Sequence, residues 1–486
     1  MRSPCVPPLL PAAVLALLFL ATGAAAEDFY VDPVAGSPGG DGSAGNPWRT
    51  LEEVIAADLI ETRQWESYPY EEGLELVVVN EGAPVGAGDT LWLRTGYHGD
   101  IVLHDAYNAA PITIAAQAGE APQIGHLELR SVQNWIVRGL SISPSHAAPP
   151  LDPSTIVTVE DHNFFGPAWD VTVEDCDVFT VDDASGWGAA EWIDASSGIG
   201  VGADRVTIRN DRVRNVRFGI SVGGADAVIS HNLVDGFSAD GMRGLGDRGL
   251  FEYNRIQNCY VSSEQGDGNH DDGFQSWSVG PGGVGTGEVV GVVLRGNVLI
   301  NDLVPSHPLR SSMQGIGCFD GLFVDWVVEN NVVITDHWHG ISFYGMIDSR
   351  IVNNTVLDID DETPGPPWIL VTDSNGTESR NVVVRNNLTT DLDVGGIDVV
   401  ADHNLEIQDP GALFVAPPYD VHLLPDSAAV DTGSPVLAPP RDAAGIPRPQ
   451  GTAWDLGAYE LCPGCLFLDG FESGDLAAWT SAAGGS

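Results

Sequence analysis

The chain has 486 residues, of which 68 are Asp or Glu and 21 are Lys or Arg, and its formal net charge is −47 at pH 7. Phosphate binding needs many Lys and Arg side chains. A protein this acidic is therefore not expected to have nucleic acid as a partner. The same acidity fits solubility in a salty medium or, alternatively, the binding of a divalent cation, for which Ca²⁺ is the expected cofactor.

The N-terminus has the pattern of a secretory signal peptide. Arg2 precedes an apolar run over residues 9–20, and an Ala-rich stretch ends at Ala26. This order is typical of a cleaved signal, so residues 1–26 are predicted to direct secretion to the extracellular space or the periplasm. The rest of the chain contains no apolar run of about 18 residues, so we expect no membrane span.

A short helix and two strands are predicted near the start of the folded domain, which we place at residues 27–460. Thr50 and Glu53 have the spacing of a capping box, which indicates a helix beginning at residue 51. We expect this helix to cover the exposed edge of the first coil and so to prevent end-to-end association. Residues 88–94 and 110–114 are predicted to be strands of that coil.

Internal repetition is the main signal of the sequence, since short alternating segments recur with an Asn at the same place. The aligned residues are Asn232, Asn254, Asn297, Asn331, Asn354 and Asn387, with Asp177 and Asp211 in the same slot earlier. Coils of short strands must turn at fixed points, where Asn tolerates a left-handed backbone and can hydrogen-bond along the stack. The sequence therefore predicts an all-β solenoid of parallel strands, with inserted loops where the spacing is long.

Each coil has a second aligned strand. The first residues of these strands, the column heads, are Phe218, Asp240, Asp272, Gln314 and His339. The apolar residue two positions later is expected to point inward, and the next residue outward, by the two-residue period of a strand. Carboxylate, imidazole, guanidinium and carboxamide groups therefore converge on the outside of three or four consecutive coils, which predicts a functional groove there.

The C-terminal residues 461–486 are predicted to form a linker and a short tail. Cys462 and Cys465 flank a Pro-Gly pair and are expected to close a small loop in an oxidising compartment. Cys176, Cys259 and Cys318 are too scattered for a disulfide scaffold, so we expect them in the core.

Five segments carry a resemblance to a known superfamily. They are Tyr-Val-Asp-Pro at 30–33, Gly-Asn-Pro-Trp-Arg-Thr at 45–50, Gly-Asp-Thr-Leu-Trp-Leu at 88–93, Pro-Ile-Thr-Ile at 111–114 and Asp-Leu-Gly-Ala-Tyr-Glu at 455–460. Over residues 28–460 the chain resembles secreted bacterial proteins of the pectate-lyase-like right-handed parallel β-helix superfamily. The resemblance implies that the solenoid is right-handed and that a polysaccharide lies along one face, and we expect a monomer.

The densest cluster of titratable residues lies at 266–275. Asp271 and Asp272 would repel each other if both were ionised, which raises the pKa of one of them, and His270 can act as base or acid near neutral pH. The predicted catalytic residues are Asp240, His270, Asp271, Asp272 and His339. Asp267 is the predicted metal ligand. The alternative is that these acids only cap a turn and bind Ca²⁺ structurally.

Substrate-binding residues are predicted on the same coils. They are Arg243, Gln275, Trp277, Gln314, His337 and Arg248. Each has a structural alternative, because arginines of this kind also form surface salt bridges of little energetic weight. Loop tryptophans and histidines also pack against a solenoid without touching a ligand.

One part of the cluster resembles the alginate C5-epimerases. His270-Asp271-Asp272 after Asp267 is similar to their Asp-Pro-His-Asp/Glu motif, with Gly-Asn in place of the proline. The resemblance implies that His270 removes or returns the C5 proton, while Arg243 or a cation neutralises the uronate carboxylate.

The order of the polar column heads resembles the polygalacturonase-type hydrolases. Asp240, the Asp271-Asp272 pair and His339 follow one another as in that family, which implies Asp272 as the acid and Asp240 or Asp271 as the base. The coil headed by Gln314 is an addition, and no Arg-Ile-Lys segment follows.

Three functions remain open. The sequence contains no lysine, which excludes lyases that use a lysine base. Elimination or C5-epimerisation of a polyuronate is the first hypothesis, inverting glycoside hydrolysis is the second, and a non-catalytic carbohydrate-binding or surface protein is the third. The charge of −47 counts against an anionic substrate unless Ca²⁺ bridges the two.

Overall fold

A computed structural model describes residues 26–262, 265–304, 306–360 and 363–463. In these ranges the chain is almost entirely β, and its short parallel strands stack into a right-handed parallel β-helix. The all-β solenoid predicted from the repeats is confirmed. Residues 1–25 of the predicted signal peptide and residues 464–486 of the predicted tail lie outside the described residues.

The solenoid has three faces of parallel strands. The site face begins in the first halves of Ile101–Ala116 and Leu127–Arg138 and continues with Thr155–Glu160, Ser197–Val201, Ile220–Val222, Met242–Gly244, Asp272–Trp277, Gln314–Asp320, His339–Tyr344, Trp368–Thr372 and Asp391–Val394. The back face comprises Asp28–Val31, Thr90–Leu93, the second halves of the two long strands, Trp169–Glu174, Thr207–Arg209, Val228–Ser230, Leu250–Glu252, Val293–Arg295, Val327–Glu329, Arg350–Val352, Val383–Arg385 and Val400–Asp402. The third face comprises Gly96–Tyr97, Pro122–Ile124, Ser141–Ile142, Asp177–Phe179, Arg212–Val216, Leu233–Phe237, Arg255–Cys259, Val298–Ile300, Val332–Thr335, Thr355–Asp358, Leu388–Thr389 and Leu405–Glu406.

Short helices and smaller sheets are present in addition to the three faces. The helices are Leu51–Ala56, Ala189–Ile193 and Pro410–Leu413, with a 3-10 helix at Pro144–His146. The remaining strands form the antiparallel pairs Thr62–Trp65 with Leu76–Val79, Val279–Gly280 with Gly283–Val284 and Phe414–Ala416 with Asp420–Leu423, and a small parallel sheet of Glu288–Val290, Leu322–Val324 and Met346–Ile347.

The predicted N-terminal helix is present. The backbone N–H of Glu53 donates to Thr50 Oγ1 at 3.2 Å, as a capping residue requires. Leu51 and Val54 are fully buried in the same core as the first strands. The predicted first-coil strands are also found, as Thr90–Leu93 and the second half of Ile101–Ala116.

The repeated asparagines form a continuous ladder where the back face turns into the third face. Asn331 Nδ2 donates to Asn354 Oδ1 at 3.0 Å, and Asn354 Nδ2 donates to Asn387 Oδ1 at the same distance. Equivalent bonds run from Asn232 to Asn404. The amides are buried, so their mutual pairing satisfies groups that would otherwise be costly to bury.

Two details of the expected turn are wrong. The left-handed backbone belongs to the residue before each ladder position, for example His231 with φ 58° and Asn353 with φ 55°, and the ladder residues themselves keep negative φ. Asp177 lies one residue beyond the ladder position, because it pairs with Arg212, the residue after Asp211. Cys176 occupies that slot, and its backbone N–H donates to Asp211 Oδ1 at 2.7 Å.

Strand alternation places the site face as predicted. The residues expected to point inward are all buried: Ile220, Met242, Phe274, Ile316 and Ile341. The strand register aligns the outward residues in one column, Ser221, Arg243, Gln275, Gly317 and Ser342. The three scattered cysteines are buried and free, as expected: Cys176, Cys259 and Cys318.

The C-terminal segment packs along the solenoid. Asn353 Nδ2 donates to the carbonyl of Asp455 at 3.0 Å, and Arg448 forms a fully buried ion pair with Glu460 at 2.9 Å. Cys462 is disulfide-bonded, and its expected partner Cys465 lies outside the described residues. Within the described ranges, no helix combines the length and apolar character needed to cross a membrane.

Candidate active site

The polar column heads occupy equivalent positions in consecutive coils of the site face. The backbone N–H of Gly241 donates to the carbonyl of Asp272 at 2.8 Å, so the coil of Asp240 lies directly beside that of Asp272. Asp272 in turn pairs with Gln314, and Gly315 lies against the carbonyl of Gly340 in the next coil. The structure thus brings together the side chains that the sequence placed along this column.

A glycine makes room for one of these carboxylates. Gly317 follows Gln275 in the outward column, and a Cβ added there would lie 2.2 Å from Asp272 Oδ1 and 2.7 Å from the Phe319 ring. Asp272 Oδ2 accepts a hydrogen bond from Gln275 Nε2 at 2.9 Å. The missing side chain therefore lets the carboxyl lie under the carboxamide.

Asp240 and Asp272 form a buried pair beneath the surface of the groove. Arg243 Nε donates to Asp240 Oδ2 at 2.5 Å, and Asn269 Nδ2 donates to its Oδ1 at 3.0 Å. Burial raises the pKa of both carboxyls, and that of Asp272 lies well above its usual value because Asp240 adds repulsion. Since the guanidinium contacts Asp240, the proton resides on Asp272.

Asp271 is a second protonated acid. Burial raises its pKa to about 8, with further repulsion from Asp267 and Asp240, while a hydrogen bond from Ser311 Oγ acts in the opposite direction. The other carboxyl oxygen, Oδ1, is buried without a hydrogen-bond partner. A carboxyl that stays protonated at neutral pH can donate a hydrogen bond or a proton.

His337 and His339 stack on each other, with ring centroids 5.4 Å apart and an interplanar angle of 24°. Burial, with a smaller repulsion from His270, lowers the pKa of each to about 4, and His339 adds to the lowering at His337. His339 Nδ1 lies 2.9 Å from Ser342 Oγ, which also accepts a hydrogen bond from Trp368 Nε1 at 3.1 Å. Both imidazoles are therefore neutral at pH 7 and able to accept a proton.

Two clefts open over these residues, and His270 and Gln314 line both. The central cleft, of about 250 Å³, is lined by His270, Gln275, Ser276, Trp277, Gln314, Phe319, Asp320, His339 and Tyr344. The lateral cleft, of about 770 Å³, is lined by Ser262, Asn269, His270, Asp271, Arg310, Ser311, Ser312, Gln314, Asp336, His337, Trp338, Thr363 and Pro364. The central cleft is rich in aromatic and polar side chains, as sugar-binding sites require.

The two predicted arginines have different surroundings. The guanidinium carbon of Arg243 lies 3.9 Å from the centre of the Phe218 ring and 5.2 Å from that of Trp277, beside the central cleft. Arg248 lies in the turn that follows this coil, where Nε donates to Asp226 Oδ1 at 2.6 Å. It lines neither cleft. Arg243 likewise lines neither of them, so the substrate-binding role of both arginines stays a prediction.

Asp267, the predicted metal ligand, has one carboxylate oxygen engaged and one without a partner. Asp267 Oδ1 accepts hydrogen bonds from Arg217 at 3.2 Å and from the Asn269 backbone at 3.0 Å, and its Oδ2 is buried without a partner. Across the described ranges, no three His, Cys, Asp or Glu side chains are grouped so that they could hold a metal ion. Calcium stays a prediction from composition.

Several residues of the site were missed in the sequence. Tyr344 and Phe319 lie at the ends of site-face strands, where strand length rather than the column pattern brings them to the central cleft. Ser342 stood in the outward column and could have been found. Ser311 and Trp368 come from neighbouring coils, and no local sequence signal indicates their contacts.

Comparisons with known proteins address the fold. No protein-family model matches the chain, and no curated protein matches it. Among solved structures, the complex of XylC with xylose is similar over 90% of this chain and 98% of that chain, with a TM-score of 0.53 and 10% identity. The pectate lyase Pel9A covers 90% of this chain and 96% of its own, with a TM-score of 0.46 and 14% identity. The A-module of the Azotobacter vinelandii mannuronan C-5 epimerase AlgE4 covers 66% and 91%, with a TM-score of 0.36 and 13% identity. At these identities the likeness extends to the fold alone, a parallel β-helix.

Proposed function

We propose that this protein is a secreted, monomeric enzyme that acts on a polysaccharide, with lyase or C5-epimerase chemistry on uronic acid residues bound in the central cleft. The observation that carries the proposal is the composition of that cleft. Two imidazoles, His270 and His339, line the same space as the carboxamides of Gln275 and Gln314 and the phenol of Tyr344. The secreted location rests on the N-terminal signal pattern.

Removal of the proton at C5 of a uronic acid requires a base and a means to stabilise the adjacent carboxylate. His339 has a pKa of about 4 because it is buried, so it is a neutral base at pH 7. Trp368 Nε1 lies 3.2 Å from His339 Nδ1 and 3.1 Å from Ser342 Oγ. In the tautomer in which Nδ1 donates to Ser342 Oγ, Trp368 donates to the same oxygen, and the lone pair of Nε2 is free to take the proton. The carboxamides of Gln275 and Gln314 supply N–H donors for the carboxylate, which stabilise the negative charge as it develops.

The outcome depends on where the electron pair goes after the C5–H bond breaks. In elimination, the pair forms the C4=C5 double bond, the C4–O bond breaks, and the leaving oxygen takes a proton from His270 or from the Tyr344 hydroxyl. In epimerisation, the C4–O bond stays intact and a proton returns to C5 from the opposite side. His270 and His339 come from coils on either side of the one headed by Gln314, which suits groups acting on two sides of one sugar ring.

The buried acids have a positioning role in this proposal. Asp272 holds Gln275 through its Nε2, and Asp240 holds Arg243 beside Trp277. Both carboxyls are buried, with 1% of Asp240 and none of Asp272 exposed, and Gln275, the partner of Asp272, lines the cleft. They fix the donors that face the substrate, and in an enclosed site such pre-oriented donors contribute strongly.

Inverting hydrolysis is the second candidate, and one observation favours it. Asp240 and Asp272 head adjacent coils, and a protonated Asp272 beside an ion-paired Asp240 gives one acid and one carboxylate, as an acid and base pair would need. Against it, hydrolysis requires both carboxyl groups to reach the glycosidic bond from opposite sides, and neither of these two lines a cleft. Non-catalytic carbohydrate binding is the third candidate.

Product analysis separates the candidates. The protein is incubated with alginate, pectate and neutral glycans, with and without EDTA. Ultraviolet absorbance of an unsaturated product identifies elimination, inversion at C5 in NMR spectra identifies epimerisation, and new reducing ends without absorbance identify hydrolysis. The absence of every product would leave binding alone. Loss of activity in EDTA that is restored by Ca²⁺ would support the predicted cofactor.

A further inference from the structure

A third cleft lies on the site face, before the central and lateral clefts. This upstream cleft, of about 550 Å³, is lined by His126, Glu128, Arg130, Pro153, Ser154, Thr155, Thr158, Glu160, Gly200, Val201, Gly202, Ser221, Val222, Gly223 and Leu245. The outward column runs through it in strict register from Glu128 to Ser221, and then passes through Arg243 to Gln275. One coil therefore separates the upstream cleft from the central one.

The distance along this column suits a chain rather than a single sugar. Five strand spacings separate Glu128 from Gln275, which is about 24 Å at the usual spacing of parallel strands. The floor is low over the first part of this span, because the column holds Thr158, Gly200 and Ser221 in succession. Arg243 follows before Gln275, with its guanidinium held against Asp240 and over the Phe218 ring. An extended oligosaccharide can lie over these small residues and reach both clefts.

The charges of the upstream cleft do not suit an anion. Arg130 lies between two carboxylates, with Nη1 3.0 Å from Glu128 Oε1 and Nη2 2.6 Å from Glu160 Oε1. Among the described lining residues it is the single guanidinium, and with His126 uncharged the two glutamates outweigh it by one negative charge. A uronate placed here would meet no uncompensated cation and would be repelled by the excess carboxylate.

The remaining polar groups suit neutral hydroxyls. Ser154, Thr155, Thr158 and Ser221 line the cleft with hydroxyl groups, and the two glutamates supply carboxylate oxygens. Carboxylates accept hydrogen bonds from sugar hydroxyls without requiring a charge on the ligand. The lining therefore offers acceptors to an uncharged sugar while it repels an ionised one.

We infer that the upstream cleft is a subsite for uncharged sugar residues of the same chain that places a uronic acid in the central cleft. The substrate is then a polysaccharide in which uronic acid residues neighbour neutral or esterified sugars, and not a uniformly ionised polyuronate. This inference rests on the proposed function, because it treats the two clefts as parts of one groove. It also reconciles a protein of charge −47 with an acidic substrate.

The test compares the binding of two hexasaccharides, one uncharged and one built of uronic acids, by isothermal titration calorimetry. The parent protein carries His270→Ala, so that both ligands stay intact. Adding Glu128→Gln and Glu160→Gln removes the excess negative charge and frees Arg130. The affinity for the uronic acid hexasaccharide, relative to the uncharged one, should then rise about tenfold.

The chain offers a matched control. Asp226 and Asp247 flank Arg248 as the two glutamates flank Arg130, but they lie outside the groove. Replacing both by Asn removes the same charge and should leave the affinity ratio unchanged. An unchanged ratio in the Glu128→Gln, Glu160→Gln protein, an equal change in the control, or no binding of either ligand would overturn the inference. A failure of the proposed function alone would show as the absence of product from every glycan while the ratio still shifts.

Discussion

The backbone N–H of Asp272 donates a hydrogen bond to Oδ1 of Asp240 at 3.2 Å, although 32 residues separate the two in the chain. The contact exists because each residue heads a coil and consecutive coils lie side by side. It connects the two buried residues. Arg243 then determines which carboxyl is ionised, because its guanidinium pairs with Asp240. Asp240 is then the charged member of the pair and Asp272 the protonated one.

This assignment predicts an asymmetry between two substitutions of the same size. Asp272→Asn replaces a neutral acid by a neutral amide and should leave the free energy of unfolding close to that of the wild type. Asp240→Asn leaves the partly buried Arg243 without its partner and should lower that free energy by about 3 kcal/mol. Denaturation in guanidinium chloride measures both. Equal losses in the two variants would contradict the assignment.

The raised pKa of Asp271 predicts a pH dependence of stability. Its carboxyl titrates at 3.8 in the unfolded chain and at about 8 in the folded protein, so between these values the folded state binds more protons. Stability should therefore fall as the pH rises from about 4 to 8, with a slope of up to ~1.4 kcal/mol per pH unit from this group.

Asp271→Asn should remove that part of the slope, measured as the guanidinium midpoint at pH 5 and pH 8. Asp348→Asn is the matched control, because Asp348 is exposed and an Asn there can still accept the hydrogen bond from Asn381. A slope that is the same in Asp271→Asn and in the control would argue that Asp271 is ionised in the folded protein.

The activity of the proposed enzyme should depend on a neutral His339. Because burial lowers its pKa to about 4, kcat/KM should rise with pH through about 4 and stay level to neutral pH, whereas an exposed histidine would titrate near 6.5. His339→Ala should lower kcat/KM by roughly 10²–10⁴-fold. His231→Asn serves as the control, because His231 lines none of the three clefts and has a positive φ that Asn tolerates. An acid limb near pH 6.5 would point instead to a solvated base.

Gly317 should tolerate no side chain. A methyl group there would lie 2.2 Å from Asp272 Oδ1, so Gly317→Ala must displace the carboxyl and with it Gln275, at a cost of about 1–3 kcal/mol. Gly200 is the matched position in the same outward column, where an added Cβ would be no closer than 3.3 Å to Thr155 Cγ2. Gly200→Ala should therefore leave the thermal midpoint nearly unchanged. Equal midpoints for the two variants would show that Asp272 can move without cost.

The solenoid could be predicted because the periodicity of the sequence is local. Each ladder position, such as Asn331, marks a turn that recurs in every coil. Strand alternation then determines that Phe274 points inward and that its neighbour Gln275 points outward. The left-handed residue before the ladder position could not be assigned in this way, because His, Tyr, Gly and Asn all occupy it.

The site was predictable only in part, for a related reason. Column alignment brought Asp240, Asp272, Gln314 and His339 together, since adjacent coils repeat the same path. It also grouped Arg248 with the site, although this residue lies in the turn after the strand and lines neither the central nor the lateral cleft. Contacts that depend on the path of inserted loops, such as that of Ser311 with Asp271, have no counterpart in the repeat.

Proton exchange at C5 tests the central claim most directly. Alginate and pectate, with and without methyl esters, are incubated with the protein in D₂O, and the sugars are examined by NMR, with the His270→Ala, His339→Ala protein as the blank. The account predicts either deuterium at C5 with inverted configuration or a 4,5-unsaturated end, and neither in the blank. New reducing ends with the C5 proton fully retained would contradict it, because hydrolysis leaves that bond intact.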